Sequence, residues 1–126
     1  MKRLWVTADI DAPAERLWDL LTDLDAWPRW GPSVRAATID APALACGARG
    51  KVTTAVGVEV PFEVTRYEPG RHWAWRVAGV PATDHVVEPL GADRCRVGFG
   101  VPWPAVAYLA ACRAALSRLE NMALAS

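Results

Sequence analysis

The sequence is poor in the residues that build metal centres and disulfide frameworks. It has two histidines, His72 and His85, and three cysteines, Cys46, Cys95 and Cys112, none of them in a CxxC pair. An odd number of cysteines without paired spacing argues against both a disulfide framework and a zinc site. We therefore predict no metal ion, and the unpaired thiols favour a reducing, cytoplasmic location.

The chain also lacks net charge and a long uninterrupted apolar run. Its 14 lysines and arginines balance 14 aspartates and glutamates, which leaves no electrostatic footprint for nucleic acid or for an anionic membrane. The longest apolar run, residues 101–112, contains two prolines and is shorter than the roughly 20 residues that a membrane span needs. We predict no nucleic-acid partner and no stable membrane insertion.

Motifs for nucleotide cofactors and for serine nucleophiles are missing as well. The only closely spaced glycines that resemble a phosphate-binding loop, Gly98 and Gly100, lack the strand-to-helix context that such a loop requires. No GxSxG nucleophile elbow is present either. We therefore predict that the protein works without a cofactor.

What the chain does contain is alternation of apolar and polar residues, which predicts strands. Residues 3–10 form the first strand, and Pro13 then suits the first turn of a helix that ends near Thr22. A second short helical turn carries Trp27 and Trp30 on the same side. About six extended segments follow, at residues 33–39, 51–56, 58–67, 71–78, 82–89 and 94–101.

Pro104 begins a last amphipathic helix that runs to about Leu124, roughly 30 Å at 1.5 Å per residue. Strands with one apolar face and one long helix to cover them predict a single α+β domain over residues 1–126. Its bent antiparallel sheet of about seven strands would wrap around the C-terminal helix, with two short helices after the first strand. Such a sheet leaves an apolar space beneath the helix, where small molecules commonly bind.

The segment from Ile10 to Pro32, IDAPAERLWDLLTDLDAWPRWGP, resembles the opening of the START-like polyketide cyclase/dehydrase family. The segments 67–71, 85–91 and 116–120 match the same family, so the resemblance covers nearly the whole chain. It implies a helix-grip fold, also called START/Bet v 1-like, with a deep hydrophobic cavity. Family members include polyketide cyclases, dehydrases and carriers of lipids, steroids or quinones. No catalytic motif is shared across the family, so none is transferred to this chain.

The inner face of the predicted sheet and helix supplies the candidate ligand-binding residues. Aromatic side chains there could stack on a flat ligand, or they could simply pack the core. The predicted ligand-binding set is Trp30, Phe62, Val64, Trp73, Trp75, His85, Phe99, Tyr108 and Cys112.

His85 and Tyr108 are the candidate catalytic residues. A histidine titrates near neutral pH and could act as acid or base on a ketone or a leaving hydroxyl, while a buried tyrosine hydroxyl could anchor a polar group. The alternative for His85 is a core histidine bonded to Thr83 or to a backbone carbonyl. Arg66 has the same parity as Val64, and it could bind a carboxylate or reach solvent.

Three functions are consistent with these residues. The first is binding of a hydrophobic small molecule that is polyketide, aromatic or lipid-like. The second is a cyclase or dehydratase that uses His85 and Tyr108. The third is a quinone or lipid carrier, or an assembly-type interaction protein, which predicts an exposed apolar patch on the outer sheet face or around Trp5. A homodimer is left open.

Overall fold

A computed structural model describes residues 2–125. The chain folds as one antiparallel sheet, two short helices near the N-terminus and one long helix at the C-terminus. The strands are β1 Arg3–Ile10, β2 Val34–Ile39, β3 Arg49–Thr54, β4 Glu59–Glu68, β5 His72–Val77, β6 Val80–Gly91 and β7 Arg94–Pro102. The helices are α1 Ala14–Thr22, α2 Trp27–Trp30 and α3 Leu109–Leu124, with a 3₁₀ helix at Trp103–Tyr108 just before α3.

The seven strands form one sheet in the order β1-β7-β6-β5-β4-β3-β2. Strands β2 to β7 follow one another as hairpins, while β1 pairs antiparallel with β7 over its whole length, from Arg3 beside Pro102 to Ile10 beside Cys95. The N-terminal strand therefore lies next to the last strand, so that α1 and α2 must cross from one edge of the sheet to the other. These findings confirm the predicted α+β class and the order of elements.

Helix α2 has only four residues, too few to be stable alone, and its two tryptophans attach it to α1. The indole Nε1 of Trp27 donates to the carbonyl oxygen of Leu21 at 2.9 Å, and that of Trp30 donates to Leu20 at 2.8 Å. Both carbonyls lie in the last turn of α1, where a helix leaves its carbonyls without internal partners. The two tryptophans thus supply the hydrogen-bond donors for two carbonyls at the end of α1.

The C-terminal helix is shorter than predicted. Pro102 keeps an extended conformation, and the backbone N–H of Trp103 donates to the Lys2 carbonyl at 3.0 Å, so the chain must turn before it can align as a helix. Ala105 has non-helical angles of φ −97° and ψ 26°. As a result α3 begins at Leu109, and Tyr108 occupies its N-cap rather than its body.

A bulge in β4 changes which residues face inward. The register between β4 and β5 shifts between Val64 and Arg66. Val64 is buried, whereas Arg66 is exposed and pairs with Glu68 at 2.8 Å on the outer face. The prediction that Arg66 shares the parity of Val64 is therefore wrong, because one extra residue in the strand reverses the alternation.

Among residues 2–125, no helix combines the length and the apolar character needed to cross a bilayer.

Candidate ligand-binding cavity

An apolar cavity lies between the sheet and the 3₁₀ helix, and we call it the outer chamber. Its volume is about 530 Å³, within the range typical of small-molecule sites. Residues from β3 to β7 form one wall, including Val60 and Val77, while Ala105 and Tyr108 form the other. The prediction placed the cavity under the long helix, but its main volume lies beside the 3₁₀ helix that precedes α3.

The space under α3 is nearly filled by aromatic rings, which leaves an inner chamber of about 40 Å³. The ring of Trp73 is stacked between two others, with Trp27 at 5.3 Å and His85 at 3.8 Å between centroids. Phe99 meets the ring of His85 edge-on at 5.3 Å. Because these rings fill the interior, the inner chamber has room only for a water molecule or the tip of a ligand.

The two chambers share a neck. Ser33, Val34, Trp75, Thr83 and Tyr108 line both of them. The hydroxyls of Ser33 and Tyr108 are hydrogen-bonded to each other, although the two residues are far apart in sequence. The loop after α2 and the start of α3 therefore meet at the neck through an exposed pair of hydroxyl groups.

His85 belongs to a continuous chain of hydrogen bonds. Trp75 Nε1 donates to Thr83 Oγ1 at 2.8 Å, Thr83 Oγ1 lies 3.2 Å from His85 Nε2, and His85 Nδ1 lies 3.2 Å from the Trp73 carbonyl. A carbonyl oxygen only accepts, so Nδ1 must carry the proton. Nε2 then accepts from the Thr83 hydroxyl, and the neutral imidazole has both nitrogens paired within the protein.

The cavity walls carry no charge near neutral pH. Among the described residues, none that lines either chamber is an aspartate, glutamate, lysine or arginine. Burial lowers the pKa of His85 to about 3, against the opposing effect of its bond to the Trp73 carbonyl. Burial also raises the pKa of Tyr108, and it raises the pKa of the Cys112 thiol to about 11. All three side chains are therefore neutral at pH 7.

The structure brings most of the predicted ligand-binding residues to the cavity. Trp75 and Tyr108 line both chambers. Phe62 and Val64 are 3% and 1% exposed, and they line neither chamber. The remaining predicted residues line the inner chamber only, and they are Trp30, Trp73, His85, Phe99 and Cys112.

The two predicted catalytic residues both lie at the chambers, but their geometry differs from that of a working acid–base pair. A histidine with a pKa of about 3 has no proton to give as a general acid near pH 7, and it is a weak base. Tyr108 is bonded to Ser33. A catalytic role for these residues stays a prediction, and it would require His85 to give up its bond to Thr83.

Several lining residues did not enter the predicted set. Val60 and Val77 are each two positions from a predicted inner-face residue, Phe62 and Trp75, so alternation could have placed them at the cavity. Ser33 and Ala105 lie outside the strands, where no alternation indicates a direction. Only the folded chain brings Ser33 to Tyr108.

Comparisons with known proteins point to one family and one fold. The family model described as "Polyketide cyclase / dehydrase and lipid transport" matches residues 1–124. A comparison with curated protein sequences finds no match.

Several solved structures share the fold at low sequence identity. The protein XoxI from Bacillus cereus has 13% identity and a TM-score of 0.75, with 98% of this chain and 96% of that chain covered. A START superfamily protein from Mycobacterium smegmatis has 21% identity and a TM-score of 0.70, with 96% of each chain covered. The di-domain ARO/CYC protein BexL of the BE-7585A biosynthetic pathway has 16% identity and a TM-score of 0.75. In that case the match covers 96% of this chain and 46% of BexL.

Proposed function

Because the chain belongs to the polyketide cyclase / dehydrase and lipid transport family, we propose that it binds a hydrophobic small molecule in the outer chamber. The observation that carries this proposal is the chamber itself, which has a volume of about 530 Å³ and walls made mostly of valine, alanine and proline. Burial of apolar ligand surface there would supply the free energy of binding. We extend the proposal to a polyketide-derived, aromatic or lipid-like ligand, since each of these has a large apolar body.

Filling the chamber tests the proposal. We expect Val60→Trp to weaken the binding of Nile red, an uncharged apolar dye, by roughly tenfold or more, because the indole would occupy space that the dye needs. Val60 lines the chamber. The measurement is a fluorescence titration at constant protein concentration.

Val58→Trp is the matched control for that substitution. Val58 precedes β4 by one residue, is 55% exposed and does not line the chamber. Its replacement should leave the dye affinity within about twofold of the original protein, as expected for a surface change. Equal affinities in the original protein and both variants would show that the dye binds elsewhere. Native mass spectrometry of the purified protein would then identify any molecule that occupies the chamber.

A carrier without catalysis is the second candidate function, and the exposed apolar side chains favour it. Val56 and Val80 line the outer chamber yet are 83% and 62% exposed, so they lie at its opening. Trp103 and Val106, in the adjoining 3₁₀ helix, are 60% and 45% exposed. An apolar border around an apolar chamber suits a protein that collects its ligand from another apolar surface.

The border predicts an effect on the rate of ligand transfer. We expect Trp103→Ser to slow the transfer of Nile red from phosphatidylcholine vesicles to the protein by roughly threefold, because tryptophan favours the membrane interface. Equilibrium affinity should not change, since Trp103 does not line the chamber. Trp5→Ser is the control, as Trp5 is 45% exposed but packs over Gly98 and Gly100 on the sheet. Equal rates in both variants would argue against the carrier function.

A further inference from the structure

The arginines near the cavity are bound to other groups of the protein. Arg35 Nη2 donates to the Ala55 carbonyl at 3.2 Å, and Arg3 Nη1 donates to the Ala82 carbonyl at 2.8 Å. Arg66 pairs with Glu68, and Arg76 lies 3.6 Å from Glu63. Arg3 also lies 3.5 Å from Asp84, a buried carboxylate. Asp84 neighbours His85 in β6, so its side chain points to the opposite face of the sheet. Within residues 2–125, no lysine or arginine lines either chamber. A carboxylate inside the cavity would thus lose its hydration without gaining a cationic partner, which disfavours its binding.

The neck offers a free hydrogen-bond donor. Ser33 and Tyr108 each carry one hydroxyl proton, and the bond between them uses only one of the two. The other proton can be donated to a ligand without breaking that bond. Burial raises the pKa of Tyr108, so its hydroxyl keeps its proton at neutral pH. A ligand oxygen that accepts a hydrogen bond would therefore find a donor at the neck.

A second donor belongs to a residue in the wall of the inner chamber. Trp73 lines it, is 1% exposed, and has a buried Nε1 without a hydrogen-bond partner among the described residues. A buried donor that stays unpaired destabilises the protein, so an acceptor in the inner chamber is favoured. The chamber volume of about 40 Å³ suits one small group rather than a ring. The donors thus lie at the neck and at the inner chamber, whereas the outer chamber is mostly apolar. A ligand would therefore place its oxygen at the neck and its apolar body in the outer chamber.

We propose that the cavity selects uncharged ligands with a hydrogen-bond-accepting oxygen, such as a ketone, that meets the Ser33–Tyr108 pair, and that it rejects carboxylates. This proposal rests on the ligand-binding function proposed above. It narrows the ligand class by charge and by the type of polar group. It also assigns Ser33 and Tyr108 as the residues that determine specificity.

Three naphthalene probes of similar size test the selection. They are 2-acetylnaphthalene, an uncharged ketone; 2-naphthoate, its carboxylate counterpart; and 2-ethylnaphthalene, a hydrocarbon. Titration calorimetry at pH 7.5 should show that 2-naphthoate binds at least about tenfold more weakly than the ketone, because its charge has no partner. Comparable or tighter binding of the carboxylate would overturn the proposal.

Two substitutions test the role of the hydroxyl pair. Tyr108→Phe should weaken the binding of 2-acetylnaphthalene by roughly fivefold, the effect of one lost hydrogen bond. Binding of 2-ethylnaphthalene should stay within about twofold, because the ring remains in place. Ser33→Ala serves as a second variant if Tyr108→Phe does not fold, and we expect the same selective loss. If both probes weaken equally, or if neither weakens, Ser33 and Tyr108 do not recognise the oxygen and the proposal is wrong.

The experiment separates this proposal from the function on which it rests. If the hydrocarbon and the ketone bind with no difference between the original protein and the variants, the ligand-binding function stands and only the selection fails. If none of the three probes binds, and Val60→Trp leaves the binding of Nile red unchanged, both proposals fail together.

Discussion

Replacing Trp27 with alanine is expected to lower the free energy of unfolding by about 4 kcal/mol, the usual range for a fully buried tryptophan. Trp27 is 1% exposed, stacks on Trp73 and meets Trp75 edge-on at 5.4 Å between centroids. Its indole N–H also donates to the carbonyl of Leu21, which is itself fully buried. The substitution therefore removes ring contacts and leaves a buried carbonyl unpaired, and small domains are stable by only about 5–15 kcal/mol.

Urea denaturation followed by circular dichroism measures this loss. Trp103→Ala is the matched control, because Trp103 is 60% exposed and its loss should change stability by no more than about 0.5 kcal/mol. Trp27→Phe should fall between the two, since it keeps an aromatic ring but removes the donor to Leu21. Equal losses at Trp27 and Trp103 would mean that the stacked rings do not hold the core together.

The alternation of side chains predicted the inner face of the sheet correctly at most positions. Trp73, His85 and Phe99 are all at most 3% exposed, as their parity indicated. Alternation works here because one face of every strand is buried, and a side chain that faces the wrong way would expose apolar surface. The order of strands and helices follows from the same pattern and from the turn residues between segments.

Backbone irregularities were not predictable from the pattern. The bulge between Val64 and Arg66 reverses the parity of β4, and neither glycine nor proline marks it. The 3₁₀ helix before α3 likewise depends on a hydrogen bond from Trp103 to Lys2, which only the pairing of β1 with β7 brings together. Both features arise from tertiary contacts rather than from local preference. Both change the site, because one removes Arg66 from the interior and the other moves Tyr108 to the neck.

The position of the cavity could not be predicted from the alternation of side chains either. Phe62 faces inward as predicted, but it lies among Trp27 and Trp75, where the rings leave no space. Val60, two residues earlier on the same strand, lines the outer chamber instead. Parity indicates which side chains point inward, whereas an empty volume depends on the sizes of all the side chains that meet there.

The second large effect concerns acid. We expect the protein to lose about 2 kcal/mol of stability between pH 7.5 and pH 5 because of His85 alone. Its pKa is about 3 in the folded protein and 6.5 for an ordinary histidine. Between these values the unfolded chain binds a proton that the folded protein excludes, so stability falls as pH falls. Above about pH 6.5 the unfolded chain does not bind this proton, and the full stability is present. Below that pH, the slope of the free energy of unfolding against pH approaches about 1.4 kcal/mol per pH unit.

The cause of this effect is the environment of the ring. His85 is 3% exposed and lies between Trp73 and Phe99, and burial is the main reason for the low pKa. The nearby titratable groups inside the cavity are Tyr108 and Cys112, which are both neutral and cannot stabilise an imidazolium. The hydrogen bonds to Thr83 and to the Trp73 carbonyl fix the neutral tautomer that carries its proton on Nδ1.

Urea denaturation at several pH values from 7.5 to 5 measures the slope, and His85→Gln should remove most of it, whatever that variant's stability at pH 7.5. His72→Gln, at the only other histidine, should keep most of the slope, because burial is the main cause of the low pKa of His85 and the charge of His72 is a smaller one. Nitrogen NMR of the imidazoles should show His85 with a protonated Nδ1 and an unprotonated Nε2 throughout this range. If the pH dependence of stability persists in His85→Gln, or if the imidazole of His85 titrates near pH 6.5, the folded protein accepts a positive charge on His85. That result would restore to His85 the proton that an acid catalyst needs, and it would favour the cyclase or dehydratase hypothesis over simple binding.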